Sequence, residues 1–232
     1  MARTPINFVC LKWGTKYSAE FVNKLYGMCS RHFEGFKFHC MTEDPTDIRS
    51  EVNIIPLPED NLEKWWWKMW LFNEEWMTLD NGVFLDLDLI IQKPFKPIFE
   101  NTMSLLYTDW IDVEQMHKDI LTDRYKYCDL NSSIMSWNIN TKRNHIWKEF
   151  IEYKERIITL FRGIDNYICN RHSTDRGQRR LPKSINYYTT NIAHSYWTTN
   201  RTWKDVPIIL FDYEEDKQDK VDEEWIHTQW KE

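Results

Sequence analysis

The sequence has no surplus of basic residues: 30 Lys and Arg stand against 36 Asp and Glu, a formal charge of −6. It therefore lacks the excess of cations that a dedicated nucleic-acid binder uses to neutralise phosphates. No run approaches the ~20 apolar residues of a transmembrane helix, so no membrane span is expected. The opening MARTPINFVCLKW holds too short an apolar stretch for a secretory signal, and a cytoplasmic location is the expectation. Cysteine is sparse and unpatterned. Cys10, Cys29, Cys40, Cys128 and Cys169 form no C-x-x-C or Cys/His spacing suited to zinc, so reduced thiols packed as small core residues are expected. Without a secretory signal, the sequons at Asn131 and Asn200 carry no glycosylation reading. There is no internal repeat, low-complexity linker or evident boundary, and all 232 residues are expected to form one domain.

What the chain does have is an alternation of strand-like and helix-like segments. Ile6 to Lys12, Phe36 to Met41 and Val52 to Leu57 are short apolar runs that read as strands. Between the first two, Phe21, Leu25, Met28 and Phe33 recur at helical spacing, with Ser18 as N-cap. Lys64 to Trp76 reads as a helix that is aromatic on more than one face. The turn signal Asp80-Asn81-Gly82 then opens the clearest strand, Gly82 to Leu87. Further strands are expected at Met103 to Thr108 and Pro207 to Phe211, and a terminal helix at Asp222 to Trp230. Ile146, Phe150, Tyr153, Ile157 and Phe161 mark one long amphipathic helix. Such alternation predicts an α/β fold around a mostly parallel central sheet.

The chemistry is concentrated in Asp86-Leu87-Asp88, directly after that clearest strand. Open α/β sheets bind ligands at the carboxyl ends of their strands. Acids at i and i+2 of an ideal strand share a face, where they repel unless a cation or donor sits between them. Hard carboxylate oxygens select Mg²⁺ or Mn²⁺, which in turn bind phosphate. Two enzyme classes place D-x-D this way. Dehalogenase-type phosphatases carry it near the N-terminus with Thr or Val two residues after the second Asp, a position filled here by Ile90. Glycosyltransferases of the GT-A fold carry it mid-chain, which fits better.

Several further segments carry the same resemblance. Val9 to Tyr17 (VCLKWGTKY), Phe21 to Tyr26 and Thr42-Glu43-Asp44-Pro45 resemble the opening of a bacterial and phage glycosyltransferase group related to glycosyltransferase family 8. Trp65-Trp66-Trp67-Lys68-Met69 with Leu71-Phe72 is similar to its W-W-x-K-L…L-F segment, and Phe84 to Asp88 to its F/Y-L-D-L-D signature. Asn131 to Trp137 resembles its N-S-S/G-V-M-x-W strand, Gly163 to Asn166 its D-Q helix start, and Trp225…Trp230 its ending.

The resemblance implies a GT-A (Rossmann-like) single domain, a nucleoside-diphosphate sugar donor such as a UDP- or GDP-sugar, and a glycan or other hydroxyl acceptor. It implies Mn²⁺ or Mg²⁺ at Asp88, with Asp86 ligating the ion or holding the ribose. The backbone around Leu11, Trp13, Gly14 and Thr15 would line base and ribose, and Lys68 would face the diphosphate. By position rather than by resemblance, Trp13 and Tyr17 are the aromatics best placed to meet a sugar ring. Asp165 would lie near the anomeric carbon. The sequence departs from the group where F-H-G-x-x-K-P is replaced by Phe211-Asp212-Tyr213-Glu214-Glu215-Asp216-Lys217. There Asp212 stands in the position of the third metal ligand, and the D-Q pair is Asp165-Asn166.

Other features have plainer readings. Most of the 13 Trp are expected in the core, and Lys68 could instead snorkel its charge outward. Arg171, Arg176, Arg179, Arg180 and Lys183 form a basic loop, either solvated or covering an anion. The seven histidines show no ligand spacing. Two rival functions share the motifs: a D-x-D phosphohydrolase, and a Trp-rich carbohydrate-binding protein without turnover.

Overall fold

The computed structural model describes residues 4–108, 128, 130–172, 185–188, 192–196, 206–211 and 217–232. The chain divides into two compact units, one of Met1–Asp60, Gly82–Pro97 and Thr189–Glu232, the other of Asn61–Asn81 and Ile98–Tyr188.

The first unit is built on parallel strands. β1 (Asn7–Lys12) pairs in parallel with β2 (Lys37–Thr42) on one side and with β4 (Gly82–Leu85) on the other. Flanked on both edges, β1 is buried along almost its whole length, which is why its sequence reads as a continuous apolar run. β3 (Asn53–Pro56) adds in parallel to β2 and is largely exposed; its terminal proline suits an edge. Helix α1 (Ala19–His32) buries Phe21, Val22, Leu25, Met28 and Cys29. Ser18 does stand at its N-cap, although without a side-chain capping bond. Three short strands form a second sheet in the order β5 (Leu89–Ile91), β10 (Ile208–Leu210), β9 (Ala193–Ser195). The final helix, Glu224–Gln229, buries Ile226.

In the second unit β6 (Met103–Tyr107) pairs antiparallel with β7 (Leu130–Trp137) and parallel with β8 (Ile185–Tyr188). Trp137 is fully buried and its indole N–H donates to the Leu79 carbonyl at 2.9 Å. The Trp-rich segment Lys64–Phe72 is a 3₁₀ helix rather than an α-helix. Trp66, Trp67, Lys68, Met69, Leu71 and Phe72 are all buried, so no polar face remains to give a 3.6-residue period. Trp66 stacks on Phe150, and Trp70 lies 4.4 Å from Trp147.

Two further expectations are corrected. The long helix through Phe161 is two helices, α2 (Asn144–Glu152) and α3 (Lys154–Leu160), broken at Tyr153 with φ −120° and ψ 24°. No Pro or Gly announces that break; each short helix buries its own apolar residues, Ile146 and Phe150 in one and Ile157 in the other. Second, β4 ends at Leu85, and Asp86-Leu87-Asp88 is a bend leading into β5. The face-sharing argument of an ideal strand therefore does not apply to the two acids. Their placement comes from the chain crossing from one sheet to the other. No described helix is long and apolar enough to cross a membrane. All five cysteines are free thiols, four of them buried.

Candidate active site

In the first unit, the bend after β4 is held from several sides. The Asp88 carbonyl accepts the Phe211 N–H at 3.0 Å, and the Leu87 carbonyl accepts the Gln218 side-chain amide at 2.7 Å. Gln218 is fully buried, so this amide fixes the bend from inside. The Asp88 side chain points to a cation. Its Oδ2 accepts the Lys217 ammonium at 2.5 Å and the Tyr17 hydroxyl at 2.8 Å, while Lys217 Nζ also donates to the Phe211 carbonyl at 2.6 Å. Lys217 is only 5% exposed. Tyr17, whose ring lies 5.0 Å from Phe21 at the start of α1, reaches the bend across 71 residues of sequence.

Asp86 is partly exposed beside β1. Burial, then Cys40 and Cys29, push the Cys10 thiol up, and the Asp86 charge adds a smaller push in the same direction. Asp86 lies one residue past the end of β4, which pairs with β1 up to Val9 opposite Phe84.

The loop after β1 carries the other expected donor residues. Leu11, Trp13 and Gly14 are partly exposed and Thr15 is exposed. Gly14 has φ +64°, a left-handed conformation that glycine adopts without strain. Its N–H donates to Glu43 Oε1 at 2.6 Å. Lys12 is buried and donates to the Asp44 carbonyl at 3.1 Å. The Thr42 hydroxyl donates to the same carbonyl, also at 3.1 Å. The expected base-and-ribose strip is thus buttressed by the start of the Thr42–Pro45 segment.

A second polar cluster lies in the second unit. Asp165 stands in the first turn of helix α4 (Ile164–Arg171), and its Oδ1 accepts the Ser132 N–H from β7 at 2.9 Å. Lys68 Nζ donates to Ser132 Oγ at 3.2 Å. Lys68 is buried, at 6% exposure, so it does not snorkel into solvent. Desolvation raises the Asp165 carboxyl above its ordinary value, against the opposing pull of the Lys68 charge and the Ser132 hydrogen bonds. Gly163, just before the helix, makes room for an indole: a Cβ there would sit 2.9 Å from Trp65 Nε1. Trp65 itself is 43% exposed, so a solvent-facing ring lies against the helix that carries Asp165.

The structure therefore joins Tyr17 to Asp88, and Lys68 to Asp165 through Ser132. Lys217 and Gln218 were not foreseen as partners of the acidic bend. The signal was present in the Phe211 to Lys217 segment, where Lys217 lies one residue beyond the lysine of the related motif. Asp212 and the basic residues Arg176, Arg179, Arg180 and Lys183 lie outside the described residues; Arg171 pairs with Glu149 at 2.8 Å. Among the described residues no three His, Cys, Asp or Glu side chains gather into a metal-holding group. The donor chemistry at Asp88 nevertheless fits a hard divalent ion. A carboxylate and a carbonyl oxygen already converge on one cation there, and such oxygens are the ligands that Mg²⁺ and Mn²⁺ take.

No protein-family model matches the sequence, and no curated protein matches it. Solved structures do. The chain is similar to the galactosyltransferase LgtC solved with donor and acceptor sugar analogs, with a TM-score of 0.61 at 12% identity, over 91% of this chain and 88% of that one. It is also similar to the glycosyltransferase GlyE of Streptococcus pneumoniae TIGR4, with a TM-score of 0.62 at 12% identity. There it covers 92% of this chain but spans only 56% of GlyE. The fold is the GT-A fold. At these identities the likeness concerns the fold, and the α/β, mostly parallel architecture expected from the sequence is the one observed.

Proposed function

We propose that this chain is a glycosyltransferase, one catalytic domain over residues 1–232, moving a sugar from a nucleoside-diphosphate sugar to an acceptor hydroxyl. The observation that carries the reading is the acidic bend of a GT-A fold with the Asp88 carboxylate turned onto a cation. LgtC, of the same fold, was solved with donor and acceptor sugar analogs, which supports the same two substrate classes here.

In this reading the anomeric carbon–oxygen bond breaks with its electron pair leaving on the nucleoside diphosphate, and the acceptor oxygen forms the new bond. Following the resemblance, the reaction retains anomeric configuration, and the acceptor proton goes to the departing phosphate. Asp86, Asp88 and Asp212 would hold Mn²⁺ or Mg²⁺. The ion supplies positive charge that stabilises the leaving diphosphate. The strip from Leu11 to Thr15 takes base and ribose, and Tyr17 both orients Asp88 and faces the donor. Lys68 and the Ser132 N–H favour the ionised form of Asp165 against its desolvation, and in that form its charge would face the positive centre developing at the sugar.

The test is a thermal-shift screen of UDP-, GDP- and TDP-sugars with Mn²⁺ and with chelator, followed by detection of released nucleoside diphosphate. A stabilising nucleotide sugar that is turned over with an acceptor supports the reading. Release of inorganic phosphate from simple esters would replace it with the phosphohydrolase, and glycan binding indifferent to nucleotide would replace it with a lectin-like protein.

A further inference from the structure

The Lys217 side chain is oddly placed for a surface cation. It is buried, its neighbours are oxygens of Asp88 and Phe211, and it comes from the residue next to Gln218, which pins Leu87. The same short segment thus both shapes the acidic bend and neutralises it. Asp88 Oδ2 already accepts both the Lys217 ammonium and the Tyr17 hydroxyl, and a divalent ion arriving there would be repelled at short range by the ammonium, which subtracts from what the carboxylate offers the ion.

We propose that Lys217 is a built-in counter-cation for Asp88 that competes with the divalent ion, so that ion binding and release of the Lys217 ammonium are a single event. The proposal rests on the glycosyltransferase reading for the identity of the second ligand. An ammonium released inside a buried site needs another anion, and the diphosphate of a nucleotide is one. Ion and nucleoside diphosphate should then bind cooperatively, each favouring the arrangement that the other needs. Without either ligand, Lys217 spares the bend the cost of an unpaired carboxylate.

The experiment measures Mn²⁺ affinity from the electron paramagnetic resonance signal of the free ion, for wild type, Lys217→Met and Lys217→Gln. With Mn²⁺ alone, both variants should bind about tenfold more tightly than wild type, the scale of one charged hydrogen bond removed from competition. Their melting temperatures should fall, because Asp88 loses its partner, and Mn²⁺ should restore them by more than it raises wild type. Adding UDP or GDP should tighten Mn²⁺ binding to wild type and erase the variants' advantage. Equal or weaker Mn²⁺ affinity in variants that still melt cooperatively overturns the proposal. If the variants gain Mn²⁺ affinity but UDP and GDP change nothing in any protein, the counter-cation role stands and the donor reading falls.

Discussion

Tyr17 and Lys217, 200 residues apart in sequence, meet on one oxygen, Oδ2 of Asp88, at 2.8 and 2.5 Å. One is a neutral donor and the other a charge, so they act differently on the acid. Lys217 compensates its charge, while Tyr17 fixes its direction. Tyr17→Phe removes one hydrogen bond, a loss of about 1 kcal/mol, and should lower the melting temperature only slightly. Asp88→Asn keeps an acceptor for both donors but discards the charge, leaving the buried ammonium without an anion. It should cost on the order of 2 kcal/mol and abolish both transfer and Mn²⁺ binding. Near wild-type transfer by Asp88→Asn would remove the acid from the site.

The second cluster makes a different prediction, because its buried cation, Lys68, stands beside an acid whose carboxyl is raised by desolvation. From sequence alone, Lys68 looks like an exposed charge that Ala could replace without structural cost. In the structure its ammonium is held by Ser132 and its charge offsets the desolvation of Asp165. Lys68→Ala should therefore lower the melting temperature as well as weaken donor binding, and the Asp165 carboxyl should rise further. Titration of Asp165 by carboxyl-selective NMR in wild type and variant measures the second effect directly.

The raised Asp165 carboxyl also has a pH signature. Its folded-state value lies above the unfolded one, so its contribution to stability is fully present below the unfolded value and is lost as pH rises through the folded one. Removing the charge with Asp165→Asn should flatten that part of the stability profile. If Asp165 acts as the ionised group, the acid limb of kcat/KM should fall above the ordinary carboxylate range, and Asp165→Asn should reduce turnover about a hundredfold or more.

Two histidines titrate in the opposite sense. Burial, with help from Lys37, holds His39 down at about 4, and burial does the same to His172 despite the pull of Glu149. The unfolded chain binds protons near 6.5, so stability should fall as pH drops from about 6.5 towards 4. The slope should be up to about 1.4 kcal/mol per pH unit for each histidine. Urea midpoints at pH 7 and pH 5 check it, and His39→Gln should remove one share.

How much of this was legible in the sequence depended on the range of the interaction. β1, β2, β4, β6 and α1 follow from local apolar patterns, and the structure has them within a residue or two of where those patterns end. β5 and β9 are three-residue strands, too short to show a period. The 3₁₀ geometry of Lys64–Phe72 escaped because its residues are buried almost all round, which leaves no amphipathic signal to read. Asp88 was evident from its motif, but its partners were not. Lys217 lies 129 residues away, and only the crossing between two sheets brings the two together.

Gln218 offers the sharpest separation of positioning from stability. Its Nε2 donates to the Leu87 carbonyl at 2.7 Å, while its Oε1 is buried with no hydrogen-bond partner among the described residues. Gln218→Met keeps the length and removes both atoms. The lost hydrogen bond costs about 1 kcal/mol, and relief of the unpaired oxygen returns a similar amount, so the melting temperature should move by only a few degrees. The bend, however, loses the strut that sets the carbonyl between the two acids. Asp88 then samples orientations in which its oxygens no longer converge with the Phe211 carbonyl. Mn²⁺ affinity and kcat should both fall several-fold while KM for the acceptor stays unchanged, since no acceptor-facing group has been altered. A large loss of stability with unchanged kcat would make Gln218 a packing residue and leave the bend to be held by the Phe211 N–H, Tyr17 and Lys217.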